Sequence, residues 1–328
     1  MATQAQATPS TETVPVTVNT FIRAESDLYF SSVAIRNGGF GKLFFKRDVS
    51  PIDHQDVIRE NRDTLYAAGV FDLDAGPVMI TLPEAGKRFV SCQLISEDHY
   101  TWPAIYDSKP HTIAKDQIGT RYVVTPIRTL VDPNDPNDLK EARALQDAIK
   151  VEQPGGPGKF EVPRWDLASQ KKIRDALLVL ATTVTDTSRA FGTKDQVDPV
   201  QRLIGTALGW GANPPEDATY INAAAPKNDG TTPYKLTVKD VPVDAFWSVS
   251  VYNAQGYYEK NAHDAYTFNN ITAKPDADGS ITIHFGGDEK ASNFLPITPG
   301  WNYMVRLYRP RKEILDGTWK FPEAQPVS

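Results

Sequence analysis

The chain has 328 residues, 40% hydrophobic and 23% charged, with a formal net charge of −6. That length suits two ordinary globular domains, or one long elaborated domain, with a core that needs no staples. The acidic balance argues against general affinity for nucleic acid, the single Cys92 excludes an intramolecular disulfide and a multi-cysteine zinc site, and no apolar run reaches the ~18 residues of a membrane span.

Residues 1–18 read as a flexible tail. Met1 to Val14 is rich in Ala, Thr, Gln and Ser and lacks an apolar h-region, so it is no signal peptide. The protein is expected to be soluble, either cytoplasmic or exported with a leader already removed. A helix is predicted over 21–35, capped by Asn19 or Thr20 and stopped by Asn37-Gly38-Gly39, and a short one over 53–59. Strand-like stretches follow at 65–73, 78–82, 87–96 and 121–131, separated by Gly/Pro turns such as Asp74-Ala75-Gly76-Pro77.

The middle of the chain changes period. Helices are predicted over 139–149, over 165–191 with Asp166 as cap, and from Asp198-Pro199 to Leu208. In the longest, Ile173, Leu177, Leu180 and Val184 fall at helical spacing. From Tyr234 the period is two again: Trp247, Val249 and Val251, then Ile281, Ile283 and Phe285, then Trp301, Tyr303, Val305 and Leu307 each alternate with polar or mixed residues. The expected fold is mainly β with a helical insertion, built as two jelly-roll or β-sandwich-like antiparallel domains. The expected divisions are a 1–18 tail, a 19–136 N-terminal β-rich domain, a 137–225 mostly helical connecting segment and a 226–328 C-terminal sandwich.

One polar cluster stands out. The strand predicted over 87–96 runs into Glu97-Asp98-His99-Tyr100, with Trp102 just beyond. Alternation puts Val90, Cys92 and Leu94 on a core face and Gln93, Ile95, Glu97 and His99 on the other, if the strand extends that far. A carboxylate beside an imidazole can do acid–base work, and Glu97 with His99 is the pair a metal would use; no motif indicates a cofactor or a metal. Glu97, Asp98, His99 and Tyr100 are therefore the candidate catalytic group. Arg62 and Asp63, before a predicted strand, could hold an anionic or carbonyl group. Trp102 and Tyr252 could serve as ligand platforms, and His284 and Arg306 share polar strand faces with Tyr252. No Gly-x-Ser-x-Gly elbow, Walker loop or His-Glu-x-x-His run is present.

Several longer segments carry a resemblance. Glu60-Asn61-Arg62-Asp63-Thr64-Leu65-Tyr66, Ile95-Ser96-Glu97-Asp98-His99-Tyr100 and Arg128-Thr129-Leu130-Val131-Asp132 resemble domain-of-unknown-function family 1254. Phe246-Trp247-Ser248-Val249-Ser250-Val251-Tyr252-Asn253, Asp278-Gly279-Ser280-Ile281-Thr282-Ile283-His284-Phe285-Gly286 and Leu295-Pro296-Ile297-Thr298-Pro299-Gly300-Trp301-Asn302-Tyr303 resemble its usual partner, family 1214. The resemblance implies two β-rich, jelly-roll-like domains with a helical insertion, and by analogy of fold a link to glycans. Three readings stay open: a hydrolase acting on a glycan or other polar substrate through the carboxylate/His site, a non-catalytic jelly-roll protein binding a small molecule or carbohydrate, and a structural or assembly protein that forms homo-oligomers.

Overall fold

The computed structural model describes residues 13–55 and 57–327. The N-terminal half contributes β1 (Phe44–Lys46), β2 (Thr64–Ala68), β3 (Val70–Asp72), β4 (Val78–Thr81), β5 (Val90–Ser96), β6 (Thr101–Ile105), β7 (His111–Ile113), β8 (Tyr122–Val124), β9 (Ile127–Leu130) and β10 (Lys150–Glu152). The helices are α1 (Phe21–Ser31), α2 (Lys115–Ile118), α3 (Pro136–Asp147), α4 (Leu167–Ala181), α5 (Pro199–Gly209) and α6 (Lys312–Leu315). The C-terminal half adds β11 (Ala218–Ala223), β12 (Tyr234–Val238), β13 (Trp247–Tyr252), β14 (Thr267–Asn269), β15 (Ile281–Phe285), β16 (Phe294–Leu295), β17 (Asn302–Tyr308) and β18 (Gln325–Pro326). The fold is mainly β, in two β-rich halves with no closed barrel.

Each half is a pair of packed sheets. In the first, a sheet ordered β1-β2-β9-β5-β8-β3, with β6 on the far part of β5, covers the sheet β10-β4-β7. Ala67, Cys92, Leu94 and Ile127 from one meet Val78, Ile80 and Ile113 from the other. In the second, β11-β17-β13-β14 faces β16-β15-β12-β18, and Trp247, Val249, Val305 and Leu307 meet Leu236, Ile283 and Phe285. The pairing is antiparallel except for β15 with β16, which is parallel.

Helices cover what the sheets leave open. Phe30 and Ala34 pack on Val70, Ile95 and Val124. Phe21 and Ala24 of α1 join Leu177 of α4 and Ile204 of α5 in a small apolar cluster. Asp135, Asp166 and Asp198 cap α3, α4 and α5 by accepting from backbone N–H groups of the first turn.

Several expectations need correction. The stretch 65–73 is two strands, because a Cβ on Gly69 would lie 2.8 Å from the Lys42 carbonyl and from the Phe71 ring, so only glycine allows that approach. The stretch 121–131 also divides, at Thr125-Pro126, between β8 and β9. Residues 53–59 form turns rather than a helix, with Asp56 outside the described residues. The long helix stops at Ala181, ten residues short, in a segment of turns and bends. Of the tail, residues 1–12 lie outside the described residues, but Val14 bridges to Trp165 and Val16 is buried against the helices. Within 137–225, β10 pairs with β4 and β11 with β17, so that segment also supplies sheet edges.

Candidate functional site

β5 ends at Ser96, so Glu97 through Tyr100 form the turn of the β5–β6 hairpin rather than a strand face. His99 has a left-handed backbone, φ 59°, and the side chains of Glu97 and His99 engage different partners. The turn is held between two helices. On one side, Arg23 of α1 reaches Asp98 at 2.6 Å and Glu97 at 3.5 Å. Glu97 also accepts from the Tyr122 N–H at 3.0 Å, and burial raises its carboxyl above the usual range. One helical turn after Arg23, buried Asp27 accepts from the Trp165 indole at 2.8 Å. Burial, with the nearby Glu97 charge, pushes the Asp27 carboxyl up to about 6.

On the other side, α5 supplies Arg202 and Thr206. Arg202 donates to the Asp98 carbonyl, and its guanidinium lies 4.3 Å from the Tyr100 ring centroid. His99 is fully buried, stacked on Trp210 and met edge-on by Phe191. Its Nε2 accepts from the Gly211 N–H at 2.9 Å, so the proton sits on Nδ1 and is donated to the Thr206 hydroxyl at 2.8 Å. That hydroxyl donates in turn to the Arg202 carbonyl at 2.8 Å. Burial, with Arg202 nearby, pulls the imidazole down to about 3. Both ring nitrogens are used, so no lone pair or proton is left for a substrate. The general acid–base role expected of His99 does not fit; it is a buried tie between the hairpin and α5.

The second group of candidates meets where the two halves face each other. Asp63 is fully buried and accepts from Asn269 at 3.1 Å and from Thr267 at 3.2 Å, both on β14. Arg306 donates to the Arg59 carbonyl at 2.7 Å, the Tyr252 hydroxyl at 2.7 Å and Ser250 Oγ at 2.8 Å. The Tyr252 hydroxyl donates to the Glu60 carbonyl at 2.9 Å. Asp63, Tyr252 and Arg306 therefore lie in one buried network. Arg62 donates to the Ser50 carbonyl of its own half, and its guanidinium lies over the Tyr266 ring of the other half. His284 stands apart on β15, opposite Lys235.

Trp102 belongs to a third place. An open concavity of about 370 Å³ is walled by residues of β5, β6, β7 and the segments beside them, among them Leu94, Trp102, Tyr106, Asp107, His111 and Gln117. His111 Nε2 and Asp107 Oδ1 are 2.7 Å apart on its rim. The Tyr106 hydroxyl turns inward and donates to Asp217 at 2.8 Å. Tyr106 and Asp107 escaped the sequence reading. They lie in a loop leading into β7 whose composition has no period. Among the described residues, no three His, Cys, Asp or Glu side chains converge in a way that could hold a metal ion, and no helix is long and apolar enough to cross a membrane.

Two family models match the chain. One, described as Protein of unknown function (DUF1254), matches residues 42–112, and another, Protein of unknown function (DUF1214), matches residues 218–312. Two solved structures share the fold. A crystal structure of a Vibrio parahaemolyticus protein is 20% identical, covers 95% of this chain and 98% of its own, and superposes with a TM-score of 0.72. An uncharacterized Burkholderia cenocepacia protein is 13% identical, with 94% and 88% covered and a TM-score of 0.54. No curated protein matches the chain.

Proposed function

We propose that this protein binds a small polar, ring-shaped ligand of the carbohydrate class in the Trp102 concavity, without cleaving it. The observation that carries this reading is the wall composition. Two aromatic side chains, Trp102 and Tyr106, stand beside a polar rim of Asp107, His111 and Gln117, in a space of about 370 Å³. Ligand sites of this kind begin near ~300 Å³ and join apolar ring faces with a few polar groups. A sugar ring offers the complement, C–H faces for the aromatics and hydroxyls for the rim. Hydrolysis at Glu97 and His99 is set aside because both ring nitrogens of His99 are occupied and Glu97 is tied to α1 and β8.

Titration of the full chain with a panel of mono- and oligosaccharides, followed by calorimetry and tryptophan fluorescence, tests the reading. A saturating response from at least one sugar is expected. Trp102→Ala should weaken it by about tenfold or more, the loss of one aromatic contact worth roughly 1.4 kcal/mol. A panel without binding in the millimolar range, or binding unchanged in Trp102→Ala, would sink it. Sugar release from a glycoside would restore the hydrolase reading at a different set of residues.

A further inference from the structure

The concavity beside Trp102 carries one fixed charge. Among the described residues that wall it, Asp107 is the only Asp, Glu, Lys or Arg. Its loop prepares that carboxylate. Oδ1 accepts from His111 Nε2 at 2.7 Å and from the Lys109 N–H at 2.9 Å. A carboxylate only accepts, so the His111 proton of this contact sits on Nε2. The His111 bond, and after it the Lys109 N–H, hold the Asp107 carboxyl below the usual range, so it is ionised at neutral pH. The Lys109 ammonium acts on it through space without forming an ion pair among the described residues. Oδ2 has no hydrogen-bond partner among the described residues, and the side chain is 55% exposed. One oxygen is anchored and the other is free on the rim. A carboxylate fixed in this way has less rotamer freedom to lose when a ligand arrives.

The aromatic wall adds a second preference. The Tyr106 ring already has the Arg309 guanidinium 4.8 Å from its centroid. Trp102 is half-buried and makes no aromatic or cationic contact among the described residues, so its ring is the surface left for a ligand. An indole face attracts a cation through the ring quadrupole, and a carboxylate attracts it directly. A neutral sugar would use the Trp102 face and the hydroxyl-binding groups of the rim. A sugar that carries an ammonium would use the fixed charge of Asp107 as well.

We infer that the ligand of this concavity is a hexosamine with a free amino group, alone or as the end unit of an oligosaccharide, with its ammonium on Asp107 Oδ2 and its ring against Trp102. The inference rests on the carbohydrate reading given above. The test is calorimetry on the full chain at neutral pH. It compares D-glucosamine and its β-1,4-linked dimer with glucose, N-acetylglucosamine and glucuronate. Acetylation removes the charge of the amine and keeps the ring. Glucosamine or its dimer should bind about fivefold more tightly than glucose and N-acetylglucosamine, the preference expected of one half-exposed ion pair and one cation–π contact. High salt should shrink the preference in the parent protein, a readout that needs no variant. Asp107→Asn keeps an oxygen for the Lys109 N–H and should bring the preference to about one. Equal affinity for glucosamine and glucose, both lost in Trp102→Ala, would overturn the inference and leave the carbohydrate reading standing. A preference that survives Asp107→Asn, or tighter binding of glucuronate, would also overturn it. No binding by any of these sugars would remove both.

Discussion

His99 and Asp27 are buried titratable groups with opposite effects on stability. The folded imidazole titrates near 3 against an ordinary 6.5, so between those pH values the unfolded chain binds more protons and stability falls as the medium is acidified. The folded Asp27 carboxyl titrates near 6 against an ordinary 3.8, so over that interval the folded chain binds more protons and stability falls as pH rises. Glu97, Asp98, Arg23 and Trp165 all act on Asp27. Asp27→Asn removes the second slope while keeping an oxygen for the Trp165 indole. Its advantage over the parent should grow by about 2 kcal/mol between about pH 4 and about pH 7. Urea unfolding across that range checks it, and a constant difference would mean that Asp27 titrates normally. His99→Ala at neutral pH should cost about 3 kcal/mol, because it strands the Gly211 N–H and opens a hole between Trp210 and Phe191. A His99→Ala protein that melts with the parent would return the residue to the functional candidates.

At the scale of elements, capping was legible and facing was less so. Asp166 ahead of a periodic apolar run marked the start of α4, and its carboxylate accepts from the Ala168 and Ser169 N–H groups at 3.2 and 3.1 Å. Asp166→Ala should lower stability by about 1 kcal/mol. The apolar stripe was less reliable: Leu177 is buried, but Leu180, at the same helical spacing, is 51% exposed near the helix end. Leu180→Glu should therefore stay within about 0.5 kcal/mol of the parent while Leu177→Ala loses about 3 kcal/mol. Equal losses in denaturant would contradict the burial difference. The hairpin turn shows the complementary limit. Strand alternation extends three residues too far, to His99, because nothing in Ser96-Glu97-Asp98-His99 announces a turn; His99 holds its positive φ within contacts from α5.

At the scale of the whole molecule, the two halves are joined by more than a linker. Phe89 meets Phe246 and Tyr308, and Phe246 stacks on Tyr308 at 4.3 Å between ring centroids. Asp63, Arg306, Tyr252 and Asn61 add buried hydrogen bonds across the same face. An interface this buried couples the halves, so calorimetry of the full chain should give one transition with matching calorimetric and van't Hoff enthalpies. Two resolved transitions would show that the halves unfold independently. The same interface explains why half of the expected binding residues came together: Asp63, Tyr252 and Arg306 lie on surfaces that only docking makes adjacent.

The succession of β-rich, helical and again β-rich stretches, the caps at Asp166 and Asp198 and the core faces of β5, β13 and β17 were determined by sequence alone, because period and capping depend on neighbours a few positions away. The tertiary structure decided the rest. The partners of His99 lie 107 and 112 residues along the chain, and the hydroxyls of Tyr252 and Tyr308 reach across the two halves to Glu60 and Asn61. Whether a polar side chain is a buried tie, a member of a buried network or the wall of a concavity depends on desolvation by such distant segments, and no local pattern encodes that.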